Sequence, residues 1–103
     1  MDYTIIEVPD MNDSVSRIVL DGKPYHIRFT YNMAGDFWTF GLYDTLDNPL
    51  MIGVKVVPNF PLNLFLLNED IPYGVFAATT KNDRITRRDF VEKNAQFIFC
   101  PVQ

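Results

Sequence analysis

The stretch Lys23-Pro24-Tyr25-His26-Ile27-Arg28-Phe29-Thr30-Tyr31-Asn32 decides the fold class. Tyr25, Ile27, Phe29 and Tyr31 alternate strictly with His26, Arg28 and Thr30, and a period of two marks a strand with one buried and one wet face. Asp21-Gly22 stands just before it, preceded by the apolar, β-branched run from Val15 to Leu20. A type I′ turn needs positive φ at both central residues, which Asp-Gly tolerates, so residues 15–32 read as a β-hairpin.

The pattern continues outward. After a turn at Met33-Ala34-Gly35-Asp36, Trp38, Phe40 and Leu42 fall on one face, with Phe37, Thr39, Gly41 and Tyr43 on the other. Gly41 has no side chain to pack and suggests a bulge or a bend. Thr45-Leu46-Asp47-Asn48-Pro49 is a third turn, after which Leu50, Ile52, Val54 and Val56 alternate with Met51, Gly53 and Lys55. Links this short make an antiparallel meander, because parallel crossovers need a dozen residues or more. Thr4 to Val8 reads as an edge strand closed by Pro9, and Gly74–Thr79 and Gln96–Cys100 as two further strands. Thr86-Arg87-Arg88-Asp89 resembles a capping pair and predicts one short helical turn near residues 87–93. The expected fold is all-β: a compact antiparallel barrel or a small two-sheet sandwich built on the meander. The expected core includes Ile27, Phe29, Trp38, Phe40, Ile52 and Val54. At 103 residues, one domain spanning 1–103 is expected.

Charge and chemistry exclude several functions. The net charge of −4 argues against a nucleic-acid partner, whose phosphates demand a basic excess. Residues 1–48 hold eight acids against three bases, whereas residues 49–103 hold six bases against five acids, a polarity suited to heterologous protein contacts. Cys100 is the single cysteine and His26 the single histidine, too few for a disulfide or a four-ligand zinc site. His26 lies on a polar strand face with no nucleophile placed beside it, and the five glycines are dispersed rather than grouped into a phosphate cradle. No catalytic, cofactor or metal residues are expected. The first ten residues lack the basic and apolar regions of a signal peptide, and no run approaches the ~18 apolar residues of a membrane span, so synthesis and folding in the cytoplasm are expected.

Val56-Val57-Pro58-Asn59-Phe60-Pro61-Leu62-Asn63-Leu64-Phe65-Leu66-Leu67 is too apolar for an ordinary surface loop, and its prolines bar it from a central strand. It either covers an open end of the barrel or buries part of itself against another subunit. Leaving Phe60, Leu62, Phe65 and Leu66 in water would forfeit ~1.5–3 kcal/mol for each side chain. These four are therefore expected to be shared between lid and interface. In the basic group around residues 81–93, Arg87 and Arg88 are the expected interface anchors, because guanidinium forks pair bidentately with carboxylates.

Read in order, the chain resembles a family of small phage tail proteins typified by the baseplate plug of a contractile-tailed cyanophage. The likeness is carried by Leu20-Asp21-Gly22-Lys23-Pro24-Tyr25, Ile27 to Asn32, Trp38 to Asp44, Leu50-Met51-Ile52-Gly53, Val57-Pro58-Asn59, Pro72-Tyr73-Gly74-Val75-Phe76 and Arg88-Asp89-Phe90. The resemblance implies a virion protein near the tail axis, packed with other phage tail and baseplate proteins (tube, hub or wedge) and with copies of itself in a threefold or sixfold ring. It implies no enzyme activity and no cofactor. The alternative is a stand-alone small β-barrel binding carbohydrate, peptide or single-stranded nucleic acid, which exposed Tyr25, Tyr31, Tyr43 or Trp38 beside a groove would favour.

Overall fold

Leu20 and Lys23 face each other across Asp21 and Gly22, both with positive φ (51° and 79°), as a type I′ turn requires. The computed structural model describes residues 3–63 and 71–101. Seven strands follow in chain order: β1 (Thr4–Ile6), β2 (Asp13–Leu20), β3 (Lys23–Asn32), β4 (Phe37–Tyr43), β5 (Pro49–Lys55), β6 (Gly74–Thr80) and β7 (Ala95–Pro101). The predicted meander is the four-stranded sheet β2-β3-β4-β5, and the outlying strands form a second, three-stranded sheet β1-β7-β6. All pairings within the two sheets are antiparallel.

The architecture is the sandwich rather than the barrel. Alternation turns Ile27, Phe29, Trp38, Phe40 and Leu42 of one sheet toward Phe76, Ala78, Phe97 and Phe99 of the other. Rings interlock across the gap: Phe29 meets Phe97 edge-on at 4.9 Å between centroids, and Phe40 lies 5.0 Å from Phe97 and 5.4 Å from Phe76. Edge-to-face pairs such as Phe29–Phe97 and Phe40–Phe97 place the positive rim of one ring on the negative face of the next. The shortest molecular extent, 22 Å, accommodates two sheets about 10 Å apart and no third layer.

Two expectations are corrected. Ile52 is 64% exposed, and Met51, assigned to the outer face, is 4% exposed in its place. Between the pairs Phe40↔Val54 and Leu42↔Met51, β5 advances three residues while β4 advances two. Gly53 absorbs the extra residue with φ +65°, and the inserted residue inverts the side-chain phase. Gly41 sits opposite: a Cβ there would stand 3.0 Å from the Met51 carbonyl oxygen, so the glycine lets the bulged strand approach.

The predicted helical turn is also absent; residues 87–93 form hydrogen-bonded turns instead. The capping element is present, since Thr86 N donates to Asp89 Oδ2 at 2.7 Å. The stop signal arrives too early for a helix, however. Lys93 is left-handed (φ 64°), its N–H donates to Phe90 O, and Asn94 N donates to Asp89 O. Those two bonds are a Schellman closure, and a start and stop separated by one turn leave no helical interior.

The described part of the proline-punctuated segment runs along the free edge of β6. Asn59 Oδ1 accepts from Thr80 N (3.1 Å) while Asn59 Nδ2 donates to Thr80 O (2.8 Å). Asn63 repeats the device, accepting from Phe76 N (3.0 Å) and donating to Gly74 O (2.9 Å). Asn59 N and Leu62 N donate to Ala78 O and Phe76 O. Pro58 and Pro61 have no N–H to offer, so side-chain amides supply ladder bonds that the backbone cannot.

Candidate interaction surfaces

The outer side of the three-stranded sheet is unusual. Antiparallel sheets with one face on the core commonly turn a polar face to water. Here part of the outer face is apolar: Ile5, Ile98 and Ala77 line up across the sheet, with Val75 and Cys100 in the next row, while exposed Thr79 and Gln96 form a polar row on the other side. Ile98 is buried, and Val75, Ala77 and Cys100 are half-buried. Ile5 and the preceding Tyr3 are more than half exposed. These two exposed side chains beside the half-buried apolar row make this face a candidate contact surface. Sequence reading missed it, although the continuous apolar runs Ile5-Ile6 and Phe97-Ile98-Phe99-Cys100 carried the signal of strands covered on both faces.

The six expected interface residues are placed as follows. Phe60 is 50% exposed, and Leu62 packs partly buried against the core. Phe65 and Leu66 lie outside the described residues. Arg87 and Arg88 converge on one carboxylate: Asp10 sits 3.1 Å from each guanidinium. Arg87 Nε also donates to Asn12 Oδ1 (2.7 Å), and its guanidinium lies 5.4 Å from the centre of the Trp38 ring. The pair therefore ties the segment after β1 to the turn before β7, while Phe60 and Leu62 belong to the β6 edge.

Other polar side chains are held locally. Asp13 takes a bidentate fork from Arg28 (2.8 and 2.7 Å), and Thr30 adds a third bond. His26 Nδ1 is 2.9 Å from Asp47 Oδ1, and Asp44 accepts from Leu46 N and Asn48 N in the β4–β5 turn. Among the described residues no three His, Cys, Asp or Glu side chains gather to hold a metal, and no helix is long and apolar enough to cross a membrane. Two shallow grooves, of about 470 and 590 Å³, flank Lys93 on the β7 side, and neither is lined by His26 or Cys100.

A family model described as cyanophage baseplate Pam3 plug gp18 matches residues 1–101. The chain belongs to this baseplate plug family. No curated protein matches it. The match agrees with the resemblance read from the Asp21-Gly22 hairpin onward, and it spans both sheets of the plug-family chain together with every surface described above.

These carboxylates give the plug-family fold a defined acid response. The Arg87 hydrogen bond, with Arg88 beside it, holds Asp10 below the ordinary carboxylate range; Arg28 does the same for Asp13, and Asn48 for Asp44. A folded-state pKa below the unfolded value of about 3.9 contributes stability in full above that pH and loses it as pH falls through the folded value. Urea unfolding is therefore expected to give the same stability at pH 7 and pH 5 and a decline below about pH 4. Replacing Asp10 and Asp13 by Asn should flatten the decline, and equal acid sensitivity in that variant would refute the assignment.

Proposed function

We propose that the protein is a non-catalytic structural component of a phage tail baseplate. In this reading it folds as one domain in the host cytoplasm and enters the virion near the tail axis. There it packs against tube, hub or wedge proteins and against copies of itself in a threefold or sixfold ring, with neither nucleic acid nor membrane as partner. The family match over residues 1–101 carries the reading. The apolar row on the outer side of β1-β7-β6 supports it, since exposed Tyr3 and Ile5 and half-buried Val75 and Ala77 would be covered in an assembly. Phe60, Leu62, Phe65, Leu66, Arg87 and Arg88 are further contact candidates. In a ring, one surface of each copy meets a different surface of the next, so a molecule with two dissimilar sheets suits the arrangement.

The small-ligand alternative is weakened, because Trp38 and Tyr25 are buried in the core and Tyr31 and Tyr43 are only partly exposed. Mass spectrometry of purified virions and of isolated baseplates tests the proposal. The protein should be present in both, at a copy number divisible by three; its absence from washed virions would overturn the reading.

A further inference from the structure

The two sheets have four outer edges, and three are closed to another strand. β6 is sealed by Asn59 and Asn63. β5 starts on Pro49 and carries two register shifts and the left-handed Gly53. β1 is three residues long and is soon followed by Pro9. Side-chain cover, bulges and brevity are the means by which sheet proteins keep edges from pairing. β2 has none of them: its eight residues hold one unbroken register against β3 and include neither Pro nor Gly.

Turn geometry fixes which backbone groups β2 leaves open. Leu20 and Lys23 close a two-residue hairpin, so they form a hydrogen-bonded pair, and at the far end Tyr31 N donates to Asn12 O (2.7 Å). Even-numbered residues thus bond β3, whereas Asp13, Val15, Arg17 and Val19 turn their N–H and C=O groups to the free edge. Pro24, which has no N–H, faces Val19 at a position where none is needed. Val15 and Val19 are 62% and 58% exposed. Arg17 lies between them, opposite His26. Arg28, Arg84, Arg87 and Arg88 each hold an aspartate, but Arg17 has no carboxylate partner among the described residues.

We propose that β2 is a strand-addition site for an extended segment of another baseplate protein. The incoming strand bears apolar side chains beside Val15 and Val19 and a carboxylate beside Arg17. This names the kind of partner and rests on the baseplate reading above. Backbone bonds supply affinity, and the alternate side chains supply specificity. A second copy of β2 fits less well. Full antiparallel overlap sets Arg17 against Val15 and Asp13 against Val19, and centring the pair on Arg17 brings like charges face to face. Centring on Val15 does bring Asp13 to Arg17, but it shortens the overlap and uses a carboxylate already forked by Arg28.

Two substitutions test the site. Val15→Pro removes an outward N–H that the sheet does not use, a change edge strands tolerate. Arg17→Glu reverses the unpartnered charge, and Arg17→Lys keeps it. The probe is the capped heptapeptide Thr-Val-Thr-Glu-Thr-Val-Thr, titrated into ¹⁵N-labelled protein. Amide shifts are expected at Asp13, Val15, Arg17 and Val19. Affinity should fall about tenfold or more in Val15→Pro and Arg17→Glu, the scale of a lost hydrogen bond or ion pair, and should be retained in Arg17→Lys. No shift along β2 at millimolar peptide would overturn the proposal whether or not the protein is found in baseplates. In phage carrying each allele, Val15→Pro and Arg17→Glu should both deplete the protein from tails, and wild-type incorporation of both would also overturn it. A wild-type homodimer dissolved by Val15→Pro would reassign the edge to a second copy and defeat the foreign-strand proposal.

Discussion

Phe97→Ala is expected to destabilise the protein by about 3–5 kcal/mol, the largest loss of any single truncation considered for this fold. Phe97 is fully buried at the centre of β7, the middle strand of its sheet. Its ring meets Phe29 and Phe40 from the opposite sheet, Phe76 from the neighbouring strand and Phe90 from the turn at 87–93. Removing it withdraws one partner from four aromatic contacts at once and opens a cavity that two hydrogen-bonded sheets cannot collapse to fill. A domain of this size is stable by about 5–15 kcal/mol, so the loss runs from about a fifth of the total to all of it. Urea unfolding with an unchanged denaturant slope is the measurement, and a loss below about 1.5 kcal/mol would mean the rings are not interlocked as described. Ile52→Ala is the matched control. Alternation alone puts Ile52 in the core, but the bulge exposes it, and the substitution should change stability by no more than about 0.5 kcal/mol.

That contrast shows where sequence reading succeeds and where it stops. The hairpin was legible because Asp21-Gly22 combines a local conformational need with alternation on both sides, and neither depends on distant residues. Phe29, Trp38 and Phe40 were legible for the same reason. Ile52 was not, because one inserted residue reverses every side chain beyond it, and whether Gly41 or Gly53 hosts the insertion depends on cross-strand approach. The turn at 87–93 had a correct start at Thr86 and Asp89, but its stop rests on Lys93 taking positive φ, which lysine does not announce. Guanidinium forks single out Arg87 and Arg88 in the sequence, and the fold gives both forks Asp10, a residue more than 75 positions away that no local pattern links to them. The unpartnered arginine is Arg17, and only knowing the partners of the other four could single it out.

Asn59→Ala and Asn63→Ala together are expected to cost about 2–6 kcal/mol, since four side-chain bonds to the β6 backbone are lost at about 0.5–1.5 kcal/mol each. Most of the effect should come from Asn63, whose bonds to Gly74 O and Phe76 N are part-buried, whereas those of Asn59 to Thr80 are exposed. Water can replace an exposed bond but not readily a buried one, and Phe76 N left unpaired beside the core carries the full desolvation penalty. Asn63→Asp separates donor from acceptor: the carboxylate still accepts from Phe76 N but can no longer donate to Gly74 O, and it meets that carbonyl with like polarity. It should therefore cost more than loss of a single bond while leaving the Phe76 amide protected. Hydrogen exchange reads this directly, with faster exchange at Phe76 and Thr80 in the double alanine variant and at neither in wild type. The double variant should also aggregate at concentrations where wild type does not, because β6 then becomes a second open edge. If Phe76 and Thr80 exchange at wild-type rates in that variant, the asparagines are not what closes β6. The edge would then be closed by its flanking chain alone, through the backbone bonds from Asn59 N and Leu62 N to Ala78 O and Phe76 O.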